Sequence, residues 1–429
     1  MYLPDIATET SAAPRFAAHL RRALPRHRLL AGFVLAYAAI SLTLSLAIGG
    51  QVESEAVASL WGGFLVMVPV MVYFLLMWRY LVMRFTVRKA EQPGWLKTDL
   101  KRSMTDPERL ASALVGLVLM LVMLVSFAQL KPLIPTIQPF AWDNTFIALD
   151  QALHFGVDPW RIAHAVAGNP LVVTAMTGAY NLWMFLMYFS LIFACFSMAK
   201  RAERMQYLIA FILTWAIGGN LIATIFSSAG PVYVERLGLG DHFAPLMALL
   251  HQHAAIQPLT VVDTQNLLWS FYAAPDSLSG ISAFPSMHVA STTLMALYAR
   301  AYNRLFGRVM AVFAGVIMLG SVLLAWHYAV DGYAGALIAV AAWWAAGLLV
   351  RRVFAAGGCP PLGPPPRGWT RAPPRRPVLV KIAGSGPAMM VGWGLRVRAS
   401  FACLPRESAS FFDHHARARP GHRHRGRRS

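Results

Sequence analysis

The sequence is poor in charged residues. Of its 429 residues, 13% are charged and 57% are hydrophobic, whereas charged residues make up about a quarter of a typical soluble domain. A chain with so little charge cannot cover the water-facing surface of a protein of this length. The composition therefore excludes an ordinary cytosolic enzyme and predicts that most of the chain lies in lipid.

Cysteine is also scarce. The three cysteines, Cys195, Cys359 and Cys403, give neither a disulfide framework nor the spacing of a cysteine-based metal site. Cys195 lies within an apolar run, where the sequence predicts a small buried side chain.

Acidic residues are half as numerous as basic ones, 19 against 38, and the formal net charge is +19. The excess is concentrated in residues 351–429, which hold 16 of the basic residues and 2 of the acidic ones. Because this segment is also rich in proline, which is incompatible with helix, we expect a disordered tail that contacts anionic lipid. It lacks the interleaved aromatic residues of a nucleic-acid-binding segment, so no nucleic-acid partner is predicted.

Eight segments are long enough to cross a bilayer, which takes about 20 mostly apolar residues of helix. They are Leu29–Ile48, Leu60–Met83, Leu110–Leu130, Leu171–Met198, Tyr207–Phe226, His288–Leu305, Val309–Trp326 and Gly332–Val350. The sixth is the least apolar, and its polar stripe predicts that it faces the interior of the bundle. The expected fold class is therefore all-α, a polytopic membrane helix bundle of about eight spans.

The basic residues between these spans alternate in number. Clusters of arginine and lysine precede the first span and follow the second, fourth, sixth and eighth, while the loops on the other side are poor in both. The positive-inside rule then predicts a multi-pass protein of the inner or plasma membrane with both termini in the cytoplasm.

Two loops on the outer side are long, at about residues 131–170 and 228–286, and long ordered loops commonly have a function. The first contains aromatic and aliphatic residues in a broken helical pattern. An amphipathic helix at the level of the lipid head groups and a loop packed on the bundle both explain this pattern.

Two short motifs contain residues suited to catalysis. Ala283-Phe284-Pro285-Ser286-Met287-His288 opens the sixth span, and His327-Tyr328-Ala329-Val330-Asp331 joins the seventh to the eighth. In the predicted topology both lie at the outer face. A short inner turn near Arg304–Arg308 would form a helical hairpin that brings His288 and His327 to the same height.

These residue types suit phosphoryl transfer through a phosphohistidine. His327 and Asp331 are four residues apart, so on one helix they share a face, and the carboxylate can orient the imidazole as a nucleophile. His288 can protonate a leaving oxygen at neutral pH. Pro285 suits the first turn of a helix, where free N–H groups and the Ser286 hydroxyl can hold an anion.

The motif Pro285-Ser286-Met287-His288, followed by His327-Tyr328-x-x-Asp331, resembles the second and third motifs of the type 2 phosphatidic acid phosphatase superfamily. It is most similar to the branch with inositol phosphorylceramide synthases and sphingomyelin synthases. Two weaker family-like marks are Phe127-x-x-Leu130-Lys131-x-x-Ile134-Pro135 and Ala229-Gly230-Pro231-Val232-Tyr233.

The resemblance implies that His327 is the nucleophile, Asp331 its orienting partner and His288 the acid. We predict Ser286, Lys131, Gly230 and Tyr328 as substrate-binding residues. The resemblance also implies a six-helix catalytic core at residues 110–350. Before it come residues 1–28, a cytoplasmic segment, and residues 29–109, two accessory spans and a basic loop; the tail of residues 351–429 follows.

The sequence departs from the phosphatases of that superfamily in its basic residues. Gly320-Ser321 stands where they usually have Ser-Arg, and no good Lys-x6-Arg-Pro motif is present. Since a phosphate with two charges normally requires arginine, the departure favours the transferase-like branch. Lys131, Arg161 and Arg236 are candidate replacements on the outer side.

No metal or other cofactor is predicted. His251 and His253 share the outer side with the motif histidines, but no tight ligand cluster accompanies them, and a phosphohistidine mechanism needs no metal.

The sequence therefore predicts an integral-membrane lipid phosphotransferase, inositolphosphotransferase-like, that acts on lipid head groups at the extracytoplasmic face. One alternative is a phosphatase of phosphatidic acid or an isoprenyl diphosphate. The rival from another class is a transporter or scaffold whose histidines and aspartates form a structural network.

Overall fold

The computed structural model describes residues 12–48, 54–257, 259–273 and 280–356. Within these ranges every regular element is helical and no strand occurs, which confirms the predicted all-α class. The predicted disordered tail lies, from residue 357 onward, outside the described residues.

The α-helices of the described ranges are numbered in chain order. They are α1 (Ala12–Arg26), α2 (Arg28–Ala47), α3 (Ser54–Thr86), α4 (Trp95–Thr105), α5 (Pro107–Leu130), α6 (Ile134–Ile137), α7 (Asp143–Leu153), α8 (Pro159–Ala167), α9 (Pro170–Phe196), α10 (Arg201–Leu213), α11 (Ala223–Ile225), α12 (Ala244–Ile256), α13 (Thr260–Ala273), α14 (Met287–Tyr302), α15 (Arg304–Leu323) and α16 (Ala329–Ala356).

Six helical segments of the described chain are long and apolar enough to cross a membrane. They are Arg28–Ala47, Pro107–Ile137, Pro170–Phe196, Arg201–Ile225, Arg304–Leu323 and Ala329–Val353. The other two predicted spans correspond to α3, of 33 residues, and to α14, of 16 residues. At 1.5 Å per residue, α14 is about 24 Å long, less than the roughly 30 Å of a hydrocarbon core. The count of eight spans stays a prediction.

Helices α14 and α15 form the predicted hairpin. Its turn is Asn303, whose side-chain oxygen accepts hydrogen bonds from Leu305 N at 2.7 Å and Phe306 N at 3.2 Å and so caps α15. The turn is short because Gly307 lies directly against Arg300, where a Cβ would be 2.7 Å from the Arg300 Cα. The hairpin therefore aligns the start of α14 with the end of α15.

Helix α16 packs closely against the start of α14. Gly335 permits this approach, since a Cβ there would lie 2.4 Å from the backbone oxygen of Ser286. The buried face of α14, which includes Ser291, Thr292 and Leu294, agrees with its predicted place inside the bundle.

Helix α2 is attached to the rest of the bundle by polar contacts. The Tyr37 hydroxyl donates to Asn220 Oδ1, within a π-helix that runs from Thr214 to Ile222 and continues α10. The Ser41 hydroxyl donates to the Ser126 carbonyl on α5 at 2.9 Å. Asn220 is thus a helix-packing residue, and Cys195 is buried as expected.

Candidate active site

The α14–α15 hairpin brings the two motif histidines together. His288 is the second residue of α14, and His327 lies four residues beyond the end of α15. Their ring centroids are 5.7 Å apart, with the rings inclined at 65°. The predicted convergence of these imidazoles, 39 positions apart in the chain, is therefore confirmed.

Asp331 is bonded to His327 as the four-residue spacing predicts. Its Oδ2 atom lies 3.2 Å from His327 Nδ1 and also accepts a hydrogen bond from Tyr328 N at 3.0 Å. The two residues do not share one helix, however. His327 precedes α16, which begins at Ala329, and Asp331 lies in the first turn of that helix. With Nδ1 as the donor to a fully buried carboxylate, Nε2 is the ring nitrogen with the lone pair that a nucleophile needs.

The surroundings keep the His327 ring neutral. Burial lowers the pKa of His327 from its ordinary value of 6.5 to about 3; a hydrogen bond with the Ala283 backbone acts in the opposite direction, and nearby Lys131 lowers the pKa further. A pKa below neutrality means that the ring is uncharged at pH 7. The unprotonated form is the one that can attack phosphorus.

Two aromatic rings of α9 hold the His288 side chain. Its ring lies 4.4 Å from that of Tyr180 and 4.0 Å from that of Trp183, measured between centroids. Trp183 is itself fixed, because its Nε1 donates a hydrogen bond of 2.7 Å to Ser291 Oγ on α14. This packing limits the rotation of His288 and keeps it directed towards the site.

His288 and His327 both line one cavity of about 140 Å³. Among the described residues around it, Lys131 is the single lysine or arginine. The cavity is otherwise largely aromatic, with side chains of Phe127, Trp183, Trp215, Tyr233 and Trp326. An ammonium beside two imidazoles in an apolar wall is a suitable environment for one phosphate group.

The other two candidate replacements for arginine are engaged elsewhere. Arg161 forms an ion pair with Asp158 at 3.2 Å, and Arg236 donates a hydrogen bond of 2.5 Å to Asn266. Of the three basic residues considered from the sequence, Lys131 is the one that the fold places at the cavity.

Ser286 connects the two motifs and caps α14. Its hydroxyl accepts a hydrogen bond of 3.4 Å from Val289 N, and its own N–H donates to the backbone oxygen of Asp331 at 2.9 Å. The expectation that Pro285 occupies the first helical turn is wrong. The helix begins at Met287 with Ser286 as N-cap, because the serine oxygen replaces the missing helical partner of Val289 N. A contact between Ser286 and substrate stays a prediction.

Gly230 and Tyr328 meet at a buried carboxylate. Asp143 Oδ1 accepts hydrogen bonds from Gly230 N at 3.0 Å and from the Tyr328 hydroxyl at 2.8 Å. Gly230 has a φ of +90°, and a Cβ there would lie 2.8 Å from the Trp326 carbonyl oxygen. The absence of a side chain at Gly230 therefore allows it to lie close to Trp326, the residue before His327. Contacts of Gly230 and Tyr328 with substrate stay predictions.

Sequence reasoning missed two carboxylates on α7. Asp143 binds the loop at Gly230, and Asp150 accepts hydrogen bonds from Ala329 N at 2.8 Å and Val330 N at 2.9 Å. These are the first two N–H groups of α16, so Asp150 caps the helix that contains Asp331. The available signal was the seven-residue spacing of two acidic residues in a mostly apolar segment, since residues two helical turns apart share a face.

Further contacts fix the chain before His327. His164 Nε2 lies 3.0 Å from the Leu323 carbonyl oxygen, and Gln265 Nε2 donates a hydrogen bond of 2.8 Å to the Leu324 carbonyl. Both carbonyls belong to the end of α15, whose last carbonyls have no partner within the helix. The site is therefore held by side chains from α7, α8 and α13 as well as by its own hairpin.

Within the ranges that the structure describes, no three or more histidine, cysteine, aspartate or glutamate side chains form a group that could hold a metal ion. His251 and His253 both lie on α12, where His253 is buried and His251 is exposed.

The comparisons with known proteins bear on the part of the chain that forms this site. No curated protein and no solved structure matches the chain. A family model does match it, over residues 144–345, which include His288, His327 and Asp331. The family is described as the PAP2 superfamily, whose members are phosphatases or phosphotransferases, and the match shows that this part of the chain is similar to it.

Proposed function

We propose that the protein is an integral-membrane lipid phosphotransferase that transfers a phosphate-linked head group through a phosphohistidine on His327. One observation supports this proposal above the others. His288, His327 and Lys131 line a single cavity, and Asp331 Oδ2 contacts the Nδ1 atom of His327. A nucleophile, an acid and a cation around one cavity are the groups that phosphoryl transfer requires.

In the first step, His327 Nε2 attacks the phosphorus atom of a lipid substrate. A P–N bond forms while the bond to the leaving oxygen breaks, and His288 donates a proton to that oxygen. In the second step, the hydroxyl of an acceptor gives its proton to His288 and attacks the phosphorus, which frees His327. The Lys131 ammonium offsets the negative charge on the non-bridging oxygens in both steps.

The charge of the cavity favours transfer over hydrolysis of a phosphate monoester. A monoester has up to two negative charges at neutral pH and a phosphodiester has one, while the described residues around the cavity include one lysine and no arginine. A phospholipid with a diester head group is therefore the substrate class that we propose. The suggestion of an inositol-containing head group is supported by the motif resemblance alone.

We infer the side of the membrane from the distribution of basic residues in the sequence. With both termini in the cytoplasm, the ends of α14 and α15 that hold the histidines face away from the cytoplasm. The proposed reaction then takes place at the extracytoplasmic face of the inner or plasma membrane.

Product analysis tests this function directly. Purified wild-type protein is given a phospholipid labelled in its head group together with an acceptor alcohol, and separately labelled phosphatidic acid and an isoprenyl diphosphate. We expect the label to move from the phospholipid to the acceptor. Release of inorganic phosphate from either lipid phosphate, without transfer, would identify a phosphatase. No turnover of any of them would favour a structural or transport role for the histidines.

A further inference from the structure

In the segment from α7 to α8 the acidic side chains are buried and several apolar side chains are exposed. Its three acidic side chains are buried, with exposures of 2% for Asp143, 5% for Asp150 and 8% for Asp158. Each is bonded to a group from outside this segment, as Asp158 Oδ1 is to His242 Nε2 at 2.9 Å. A surface helix of a soluble protein directs its carboxylates towards solvent. The burial of all three here indicates that the outward face of this segment does not contact water.

Apolar side chains occupy that outward face instead. We define the outer apolar face by its exposed members, which are Leu149, Leu153, Phe155, Val157, Ile162 and Val166. Phe155 is completely exposed and Val166 is 82% exposed. Each exposed square ångström of apolar surface costs about 25 cal/mol in water. Because six such side chains occur within residues 149–166, we expect a partner to cover this face.

Phe155 shows most clearly that a partner is needed. It adopts a φ of +59° after the end of α7, in the left-handed region that most residues avoid. The conformation extends its ring beyond the helix, where the ring has no protection from solvent. An apolar medium around the ring would offset the cost of exposing it.

The position of the segment identifies the medium. The span Pro107–Ile137 ends six residues before α7 begins, and the span that starts at Pro170 follows α8 after two residues. Ile137 and Leu171, at the facing ends of these spans, are also exposed. The outer apolar face therefore lies beside surfaces that contact lipid, at the membrane boundary.

The charges agree with this placement. Of the four Asp, Glu, Lys and Arg residues in 143–167, Arg161 is the exposed one, and its guanidinium lies 4.5 Å from the centre of the Trp160 ring. Arginine is common at the level of lipid head groups, where its apolar stem and its charged end are both satisfied.

We propose that the outer apolar face of α7 and α8 inserts into the lipid leaflet beside the active site, with Phe155 at its deepest point. The buried face of α7 simultaneously binds the chain around His327 through Asp143 and Asp150. Lipid contact with the outer apolar face thereby holds the chain around His327, which binds the buried face of α7, at the depth of the lipid head groups. The inference does not depend on which reaction the site performs.

A spin label measures this insertion. Phe155→Cys is prepared with Cys359 and Cys403 replaced by serine, labelled with a nitroxide and reconstituted into vesicles of neutral and anionic phospholipid. We expect collisions with oxygen, which partitions into lipid, to exceed collisions with a water-soluble nickel chelate several-fold. Glu235→Cys, in an exposed outer loop, is the matched control and should show the opposite ratio.

Two results would overturn the proposal. Equal nickel accessibility at positions 155 and 235 would place the face in water. Strong spin–spin broadening between labels at position 155, which disappears on dilution with unlabelled protein, would show that a second copy of the chain covers the face instead.

Discussion

His327→Ala is expected to reduce turnover by about 10⁴-fold or more, to the level of the background reaction. The substitution removes the nucleophile and leaves no other side chain at that place in the cavity. Because the P–N bond cannot form, neither step of the proposed reaction can proceed. Turnover of head-group-labelled phospholipid by purified protein in detergent or vesicles measures the effect.

Two variants distinguish lost chemistry from lost structure. His242→Ala removes another histidine of the same end of the bundle, one that contacts Asp158 at 2.9 Å outside the cavity, and it should retain activity within a few-fold. Asp331→Asn should have an intermediate activity, about 100-fold below that of the wild type, because the His327 ring loses its orienting partner but keeps its lone pair. A His327→Ala protein that is inserted, folded and fully active would exclude the proposed nucleophile.

His288→Gln is expected to slow the reaction by about 10²- to 10⁴-fold, the usual contribution of a general acid. Glutamine fills much of the space between Tyr180 and Trp183 but cannot release a proton at neutral pH. The loss should depend on the leaving group. A lipid alkoxide requires protonation as it departs, whereas a nitrophenolate does not.

The test compares two substrates in the same variant. The first step is followed in a single turnover, because the second step needs His288 with either substrate. We expect His288→Gln to be strongly impaired in this step with the lipid and close to wild type in the release of nitrophenolate from a nitrophenyl ester of the same phosphate group. His327→Ala should be inactive with both. An equal loss for the two leaving groups in His288→Gln would mean that His288 positions the substrate or the ring of His327 and is not the acid.

Much of this site could be predicted from the sequence because its signals are local or topological. The spacing of His327 and Asp331 predicts their hydrogen bond, and the apolar runs on both sides of Asn303 predict a hairpin. Once the two helices are antiparallel, His288 and His327 must lie at the same end. The long hydrophobic segments predict the class of fold for the same reason, since few structures other than helices can satisfy the backbone in lipid.

The support of the site could not be predicted in the same way. Asp143 and Asp150 bind backbone and side-chain groups about 85 to 185 positions away in sequence, and no local spacing marks such a contact. The start of α14 at Met287 depends likewise on Ser286, whose N–H donates a hydrogen bond to the backbone oxygen of Asp331, 45 positions away.

The stereochemical course at phosphorus tests the central claim most directly. Each in-line displacement inverts the configuration at phosphorus, so a phosphohistidine on His327, formed and then consumed, requires two inversions. With a phosphorus centre made chiral by sulfur and isotopic oxygen, we predict net retention in the transferred head group. Net inversion would mean that the acceptor attacks the substrate directly, which contradicts a covalent intermediate on His327.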